Sequence, residues 1–172
     1  MKDRTVDRDK ILTVLQDEFS AGREVALTVT GSSMEPLLRH LRDQVILMPP
    51  EKYVPKTGDI IFFRREDGAC VLHRIIGRTP KGGYIVNGDA QTWTECIRKD
   101  QVLATVAALV RKGHYIPVDN RIYRLYISCW GLTRPIRRGI FRIAGRIKGY
   151  ADSIRKHSDR FESRKKGKNT DD

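Results

Sequence analysis

The chain has 172 residues, 40% of them hydrophobic, and a formal net charge of +12 at pH 7. This length supports one hydrophobic core, which favours a single small domain with an appendage and excludes two large lobes. Three cysteines without a paired C-x-x-C spacing argue against a disulfide framework and a zinc site, so we expect reduced thiols: Cys70, Cys96 and Cys129.

The first ten residues are densely charged and lead into no long apolar stretch, so we expect no secretory signal and no membrane anchor there. No run of about 18 apolar residues offers a spanning helix anywhere. An N-terminal helix is predicted over Asp9–Phe19, because its apolar residues form one helical stripe, and Ala21-Gly22 ends it. We assign residues 1–22 to this helical segment.

Short segments with the alternation of strands follow, separated by turns rich in glycine and proline. Asp67-Gly68 and Gly82-Gly83 predict hairpin turns, because glycine supplies the positive φ that such turns need. Asp100–Val110 also suits a helix, since it contains three alanines, but a strand is preferred. The fold class predicted is mainly β (α+β), with a compact antiparallel β domain over residues 23–118. The predicted strands are Glu24–Thr30, Gln44–Met48, Asp59–Arg64, Cys70–Gly77, Tyr84–Asn87 and Val102–Val110.

The C-terminal third is basic and amphipathic. Residues 111–168 contain 17 of the 33 Lys and Arg but only 4 of the 21 Asp and Glu, a pattern that favours a polyanionic partner. We assign 119–160 to a basic helical region and 161–172 to a disordered tail. The segment from Arg134 to Ile154 could lie in an anionic membrane interface, with nearby aromatic residues at headgroup depth: Tyr123, Tyr126 and Trp130. Its apolar residues recur every three or four positions: Ile136, Ile140, Ile143, Ile147, Tyr150 and Ile154. Alternatively, the isoleucines pack onto the β domain.

Two separated motifs contain a serine and a histidine in strand-like contexts. The first is Gly31–Pro36 (GSSMEP), at the end of a predicted strand, and the second is Val71–Gly77 (VLHRIIG). A serine hydroxyl becomes a useful nucleophile when a neighbouring base accepts its proton. Neutral histidine is such a base near pH 7, because its ordinary pKa is about 6.5. This pairing predicts acyl-transfer chemistry.

Together with two further blocks, these motifs closely resemble the type I signal peptidases, whose fold is shared with the self-cleaving SOS-response repressors. The resemblance covers about residues 29–90 and extends more weakly to about 111. It implies that residues 23–118 form a signal-peptidase-like catalytic domain. The four blocks are Gly31–Pro36 (GSSMEP), Gly58–Ile61 (GDII), His73–Ile76 (HRII) and Asn87–Ala90 (NGDA).

The resemblance implies a role for each matching residue. Ser33, immediately before the methionine, corresponds to the family's nucleophile, and His73 corresponds to the histidine that the archaeal and endoplasmic-reticulum types use where bacterial enzymes have lysine. Asp89 matches the family's Gly-Asp block and is the preferred acid for orienting His73. Glu95 is the alternative, because the endoplasmic-reticulum type has a further essential aspartate at about that place.

Other residues receive minor roles. Asp59 is expected to brace its loop, and Met34 and Pro36 to shape the turn and the wall of the cleft. The backbone N–H of Ser33 is the expected oxyanion donor, since Gly31 stands where some relatives have a hydroxyl. No phosphate-binding loop and no metal-ligand cluster is found, so we expect no cofactor and no metal. The remaining histidines are expected to be structural or solvated: His40, His114 and His157.

The sequence thus predicts a serine endopeptidase of the signal-peptidase type that uses Ser33, His73 and Asp89 on a polypeptide substrate. We expect it in the cytoplasm or peripheral at a membrane, with nucleic acid an unlikely partner. A repressor is disfavoured, because the stretch before Glu24 is too short for a helix-turn-helix domain. The alternatives are a non-catalytic basic protein that binds membrane or nucleic acid, and a cytoplasmic peptidase for the leader of a small modified peptide.

Overall fold

The structure is a computed structural model that describes residues 8–133 of the chain. Within this range eight strands form one antiparallel sheet, with one helix before it and one after it. The predicted mainly β fold class is therefore confirmed. In chain order the elements are α1 (Arg8–Ser20), β1 (Val25–Thr28), β2 (Gln44–Met48), β3 (Ile60–Arg64), β4 (Cys70–Arg78), β5 (Tyr84–Asn87), β6 (Glu95–Ile97), β7 (Val102–Arg111), β8 (His114–Pro117) and α2 (Arg121–Leu132).

The long strand β7 connects the two halves of the sheet. The strand order is β1-β2-β7-β3-β4-β5-β6, and β8 also pairs with β7. Thr105 lies at the junction, because it pairs with Met48 of β2 on one side and with Ile61 of β3 on the other. Farther along β7, the same residues that pair with β2 also pair with β8.

The sheet has a hydrophobic cluster on each face. Successive residues of a strand point to opposite faces, and directly paired residues on neighbouring strands share a face. Ile60 pairs with Arg74 and belongs to the larger cluster, which also contains Leu15 of α1. Ile61 pairs with His73 and belongs to the smaller cluster. The adjacent residues His73 and Arg74 are thus directed to different sides of β4.

Most predicted strands agree with the structure within one or two residues, and β2 and β5 have the predicted bounds. The alanine-containing segment Asp100–Val110, for which a strand was preferred over a helix, forms strand β7 from Val102 onward. Two strands were not predicted. β6 has only three residues, and β8 is a short extension of the β7 hairpin that ends in proline.

The helix α2 packs against the β domain, past the domain boundary predicted at residue 118. Tyr123 is buried in the larger cluster, with Tyr126 and Ile127 packed beside it. All the strands and α2 as far as Gly131 belong to one compact unit of the chain. The predicted membrane helix from Ile136 to Ile154, the tail and His157 lie outside the described residues. In the part that is described, no helix is both long enough and apolar enough to cross a membrane.

Candidate active site

The Gly31–Pro36 motif forms a turn whose backbone is fixed around Ser33. Gly31 has a φ of 85°, a conformation that favours glycine. The carbonyl of Ser32 accepts a hydrogen bond from the N–H of Glu35 at 3.1 Å, and the carbonyl of Ser33 accepts one from Ala90 at 2.9 Å. Met34 is only 1% exposed and lies in the larger cluster. The turn therefore holds Ser33 half-buried beside the loop that follows β5.

Gly88 lets this loop approach the serine turn. A Cβ atom at residue 88 would lie 2.7 Å from the carbonyl oxygen of Ser33, which is too close for any other residue without a backbone shift. The side chain of Asn87 closes the loop by donating to the carbonyls of Gln91 and Trp93. The first and fourth motif blocks thus meet in the structure, and the glycine of the fourth block is explained by this contact.

His73 is buried in the middle of β4, with 1% of its surface exposed, and its ring lies 5.9 Å from that of Phe63. Its Nδ1 lies 3.1 Å from Oε1 of Glu95. The contact is within ion-pair distance, but neither ring nitrogen has a well-formed hydrogen bond among the described residues. Accordingly, no hydrogen bond joins Ser33 to His73, although both belong to the predicted site.

The sheet register explains why Glu95 reaches His73. Ile75 lies two residues after His73 on the same face and pairs with Val86, which in turn pairs with Glu95. Glu95 therefore lies on the same face of the sheet as His73, two strands away.

The surroundings of His73 favour the neutral imidazole. Burial and the positive charge of Arg65 lower its pKa from the usual 6.5 to about 4, although the carboxylate of Glu95 opposes them. At pH 7 the ring is thus uncharged, and one of its nitrogens can accept a proton.

Arg65, just after β3, was not identified from the sequence. Its guanidinium binds Glu95 through two hydrogen bonds, from Nε to Oε2 and from Nη2 to Oε1, both 2.5 Å long. The Oε1 atom of Glu95 is thus shared between Arg65 and His73. No motif block includes Arg65. Its contact with Glu95, thirty residues later in the chain, is visible only in the folded structure.

Asp89 binds Arg74 and has no hydrogen bond to His73. The guanidinium of Arg74 donates to the two carboxylate oxygens at 2.9 and 2.6 Å, and both side chains are almost fully buried. Arg74 also donates to the carbonyl of Gly58 at 2.7 Å. The carboxylate placed against His73 is therefore the alternative, Glu95. Asp89 instead pairs with Arg74, and Arg74 thereby joins the second, third and fourth motif blocks.

Asp59 and two further histidines lie outside the proposed catalytic group. Asp59 is buried, accepts a hydrogen bond from the N–H of Lys56 at 2.8 Å and pairs with Arg124 of α2 at 3.1 Å, so it braces its turn as predicted. His114 is exposed, and His40 is exposed but accepts a hydrogen bond from the serine turn. Within residues 8–133, no three His, Cys, Asp or Glu side chains are grouped so that they could hold a metal ion.

The fold and the site define a small β domain in which a serine turn lies against the loop after β5, and the adjacent strand β4 contains a buried, uncharged histidine. No family model matches the chain, and no match is found among curated proteins. The interpretation of the site therefore depends on its geometry and on the motif resemblance.

Proposed function

We propose that the protein is a serine endopeptidase of the signal-peptidase type, with Ser33 as nucleophile, His73 as general base and Glu95 as the acid that orients His73. The observation that carries this proposal is the environment of His73. A buried neutral imidazole has a carboxylate 3.1 Å from Nδ1, and within residues 8–133 its Nε2 has no hydrogen-bond partner, so that nitrogen can accept a proton as a general base does. In this proposal the orienting acid is the alternative, Glu95, in place of the preferred Asp89.

In the proposed reaction, Ser33 Oγ attacks the carbonyl carbon of the scissile peptide bond, and its proton passes to Nε2 of His73. The C–N bond then breaks, and the same proton passes to the leaving amine, so that an acyl ester remains on Ser33. Water attacks the ester and gives a proton to Nε2, the C–O bond breaks, and Oγ recovers that proton. Throughout, Glu95 stabilises the charged imidazolium form.

Substrate binding must bring Ser33 Oγ and Nε2 of His73 into hydrogen-bond contact, and catalytic hydrogen bonds commonly tighten in the substrate complex. The backbone around Ser33 is suited to this task, because hydrogen bonds fix the carbonyls on both sides of its N–H. That N–H has no acceptor among the described residues and is available to the oxyanion.

The decisive test compares two adjacent serines. Ser33→Ala should abolish both fluorophosphonate labelling and cleavage of precursor peptides, whereas Ser32→Ala, in the same turn, should retain both within a few-fold. His73→Ala should also be inactive, and His114→Ala, at an exposed histidine, is its matched control. Circular dichroism checks that each variant is folded. Cleavage products from the host's own precursor peptides, read by mass spectrometry, would identify the substrate, including the leader of a small modified peptide.

Cleavage that survives in folded Ser33→Ala or His73→Ala protein would exclude this mechanism. A wild-type protein that is not labelled but is retained on DNA in a salt-sensitive way would instead indicate the non-catalytic binding protein.

We also propose an anionic membrane as a partner, on the basis of one face of α2. Ile122 and Leu125 on this face are 79% and 66% exposed, and the chain around and beyond them is strongly basic. The membrane role predicted for Tyr123 is wrong, because its side chain is buried, with its hydroxyl 3.5 Å from Arg74.

Vesicle flotation tests this partner. The double variant Ile122→Ser/Leu125→Ser should bind anionic liposomes about tenfold more weakly than the wild type, because two apolar side chains no longer enter the bilayer. Val54→Ser, at an exposed apolar residue outside α2, is the control and should bind normally. Wild-type protein that stays unbound would exclude the membrane.

A further inference from the structure

The serine turn is contacted by a side chain to which the sequence motifs assign no role. The backbone N–H of Gly31 donates a hydrogen bond to Nδ1 of His40 at 2.9 Å, across nine residues of chain. The other hydrogen bonds that hold the turn, at the carbonyls of Ser32 and Ser33, join backbone to backbone. His40 is therefore a point at which a side chain can control this turn.

The position of His40 is itself fixed by a buried carboxylate. Asp43 is fully buried, accepts a hydrogen bond from the N–H of Arg39 at 2.9 Å and binds the guanidinium of Arg42 at 2.8 and 2.7 Å. The hydrogen bonds from Arg42 hold the pKa of Asp43 at about 2, so this carboxylate is charged at neutral pH. It closes the turn from Arg39 to Asp43, and His40 lies within that turn.

The same loop is tied to the strand that leads into the serine motif. The N–H of Leu41 donates to the carbonyl of Val29 at 2.8 Å, and the N–H of Val29 donates to the carbonyl of Asp43 at 2.9 Å. His40 thus approaches Gly31 from a loop that is anchored on both sides, and its imidazole can act as a fixed acceptor.

We infer that His40 is a positioning residue for the nucleophile: by accepting the Gly31 N–H, it holds the turn in the conformation that presents Ser33. This inference rests on the proposed function. To accept the hydrogen bond from Gly31, Nδ1 of His40 must carry no proton, so the ring proton lies on Nε2. At Gly31 itself φ is positive and no atom lies within 4 Å of where a Cβ would stand, so the hydrogen bond to His40 is the contact that holds this end of the turn, while backbone hydrogen bonds hold the other end.

Two substitutions separate the hydrogen bond from the shape of the side chain. In His40→Asn the side-chain oxygen takes the place of Nδ1 and can accept from Gly31. In His40→Gln the oxygen lies one bond farther out, and His40→Ala has no acceptor. The rate of fluorophosphonate labelling of Ser33 should fall about three- to tenfold in the Gln and Ala variants, which is the usual worth of one hydrogen bond. His40→Asn should stay within about twofold of the wild type.

Hydrogen exchange of the Gly31 amide, followed by NMR, gives a readout independent of catalysis. Exchange should become several-fold faster in the Gln and Ala variants and stay near the wild-type rate in His40→Asn. Two results would overturn the inference. In the first, Ser33 is labelled at the same rate in His40→Asn, His40→Gln and His40→Ala. In the second, labelling is slow in all three variants but exchange of the Gly31 amide is unchanged. Failure of the proposed function would be visible separately, as labelling or cleavage that persists in Ser33→Ala.

Discussion

Arg74 holds Asp89 by two hydrogen bonds of 2.9 and 2.6 Å, and both residues are buried. The neighbouring residue His73 points to the other face of β4, where Glu95 lies 3.1 Å from its Nδ1. Two carboxylates near one histidine thus have separate tasks. Asp89 neutralises a buried cation, and Glu95 faces the proposed base.

Asp89→Asn should mainly reduce stability. The substitution leaves the guanidinium of Arg74 buried without its counter-ion, and breaking a buried ion pair in this way costs about 3–5 kcal/mol. Urea denaturation followed by circular dichroism measures the loss. Asp119→Asn, at an exposed aspartate, should change the free energy of unfolding by less than about 0.5 kcal/mol.

Glu95→Gln should mainly reduce activity. Loss of the negative charge beside Nδ1 removes the stabilisation of the imidazolium, so we expect kcat to fall at least about tenfold while the protein stays folded. Glu66→Gln, at an exposed glutamate on the surface, should retain full activity. The opposite pattern, an active Glu95→Gln and a folded but inactive Asp89→Asn, would restore Asp89 as the orienting acid.

Arg65→Gln should raise the pKa of His73. The positive charge of Arg65 contributes to holding this pKa at about 4, so its removal should move the pKa towards 6.5. If the neutral ring is the base, the acid limb of kcat/KM moves to higher pH by the same amount. Titration of the His73 ring protons by NMR gives the pKa directly, and Arg64→Gln is the control at the preceding, exposed arginine. A limb that stays in place would show that Arg65 does not act on the base.

The buried His73 should make the protein sensitive to acid in a defined range. Its pKa is about 4 when folded and 6.5 when unfolded, so between these values the unfolded chain binds more protons. Its contribution to stability is complete above pH 6.5 and is lost as the pH falls to about 4, by about 3 kcal/mol in total.

This loss can be measured as the free energy of unfolding between pH 7 and pH 4. In His73→Gln the dependence on pH across this range should be weaker by that amount. Asp43 titrates lower, between 3.8 and about 2, and therefore does not confuse the comparison. Equal pH dependence in the two proteins would show that His73 is not held in its neutral form by the fold.

Gly88→Ala should displace the serine turn. The added Cβ would lie 2.7 Å from the carbonyl oxygen of Ser33, so the backbone must move and the 2.9 Å hydrogen bond from Ala90 is strained. We expect fluorophosphonate labelling to fall at least about tenfold. Gly77→Ala is the control, because its Cβ would meet only the side chain of Ile85 at an ordinary 3.6 Å. Normal labelling of Gly88→Ala would show that the turn does not need this close approach.

The sequence predicts the fold well where a mostly apolar run of four or five residues is bounded by a glycine or proline turn, as in β2 and β5. It fails for β6, because three residues are too few to show a period. Pairing with β5 is what makes this segment a strand, and that pairing is not visible in local sequence.

The site was predicted less completely, because it too depends on strand pairing, which local sequence does not show. Similar motif blocks name Ser33, His73 and Asp89, but they do not say on which face of the sheet each side chain lies. His73 and Arg74 are adjacent in the sequence and therefore point apart, so one carboxylate cannot lie against both in the same way. The alternation of His73 and Arg74 can be predicted from the sequence. The position of Glu95 cannot, because it depends on how β4, β5 and β6 pair.

The attachment of α2 has a consequence for where the polypeptide can be shortened. Tyr123 covers the Arg74–Asp89 pair, Arg124 reaches Asp59, and Ile127 lies against Gly58. A fragment that stops at residue 118 would lack α2. The apolar surface under α2 would then be exposed, and water would reach the buried Arg74–Asp89 pair. A fragment meant to keep these contacts must therefore extend to about residue 131, where the compact unit ends.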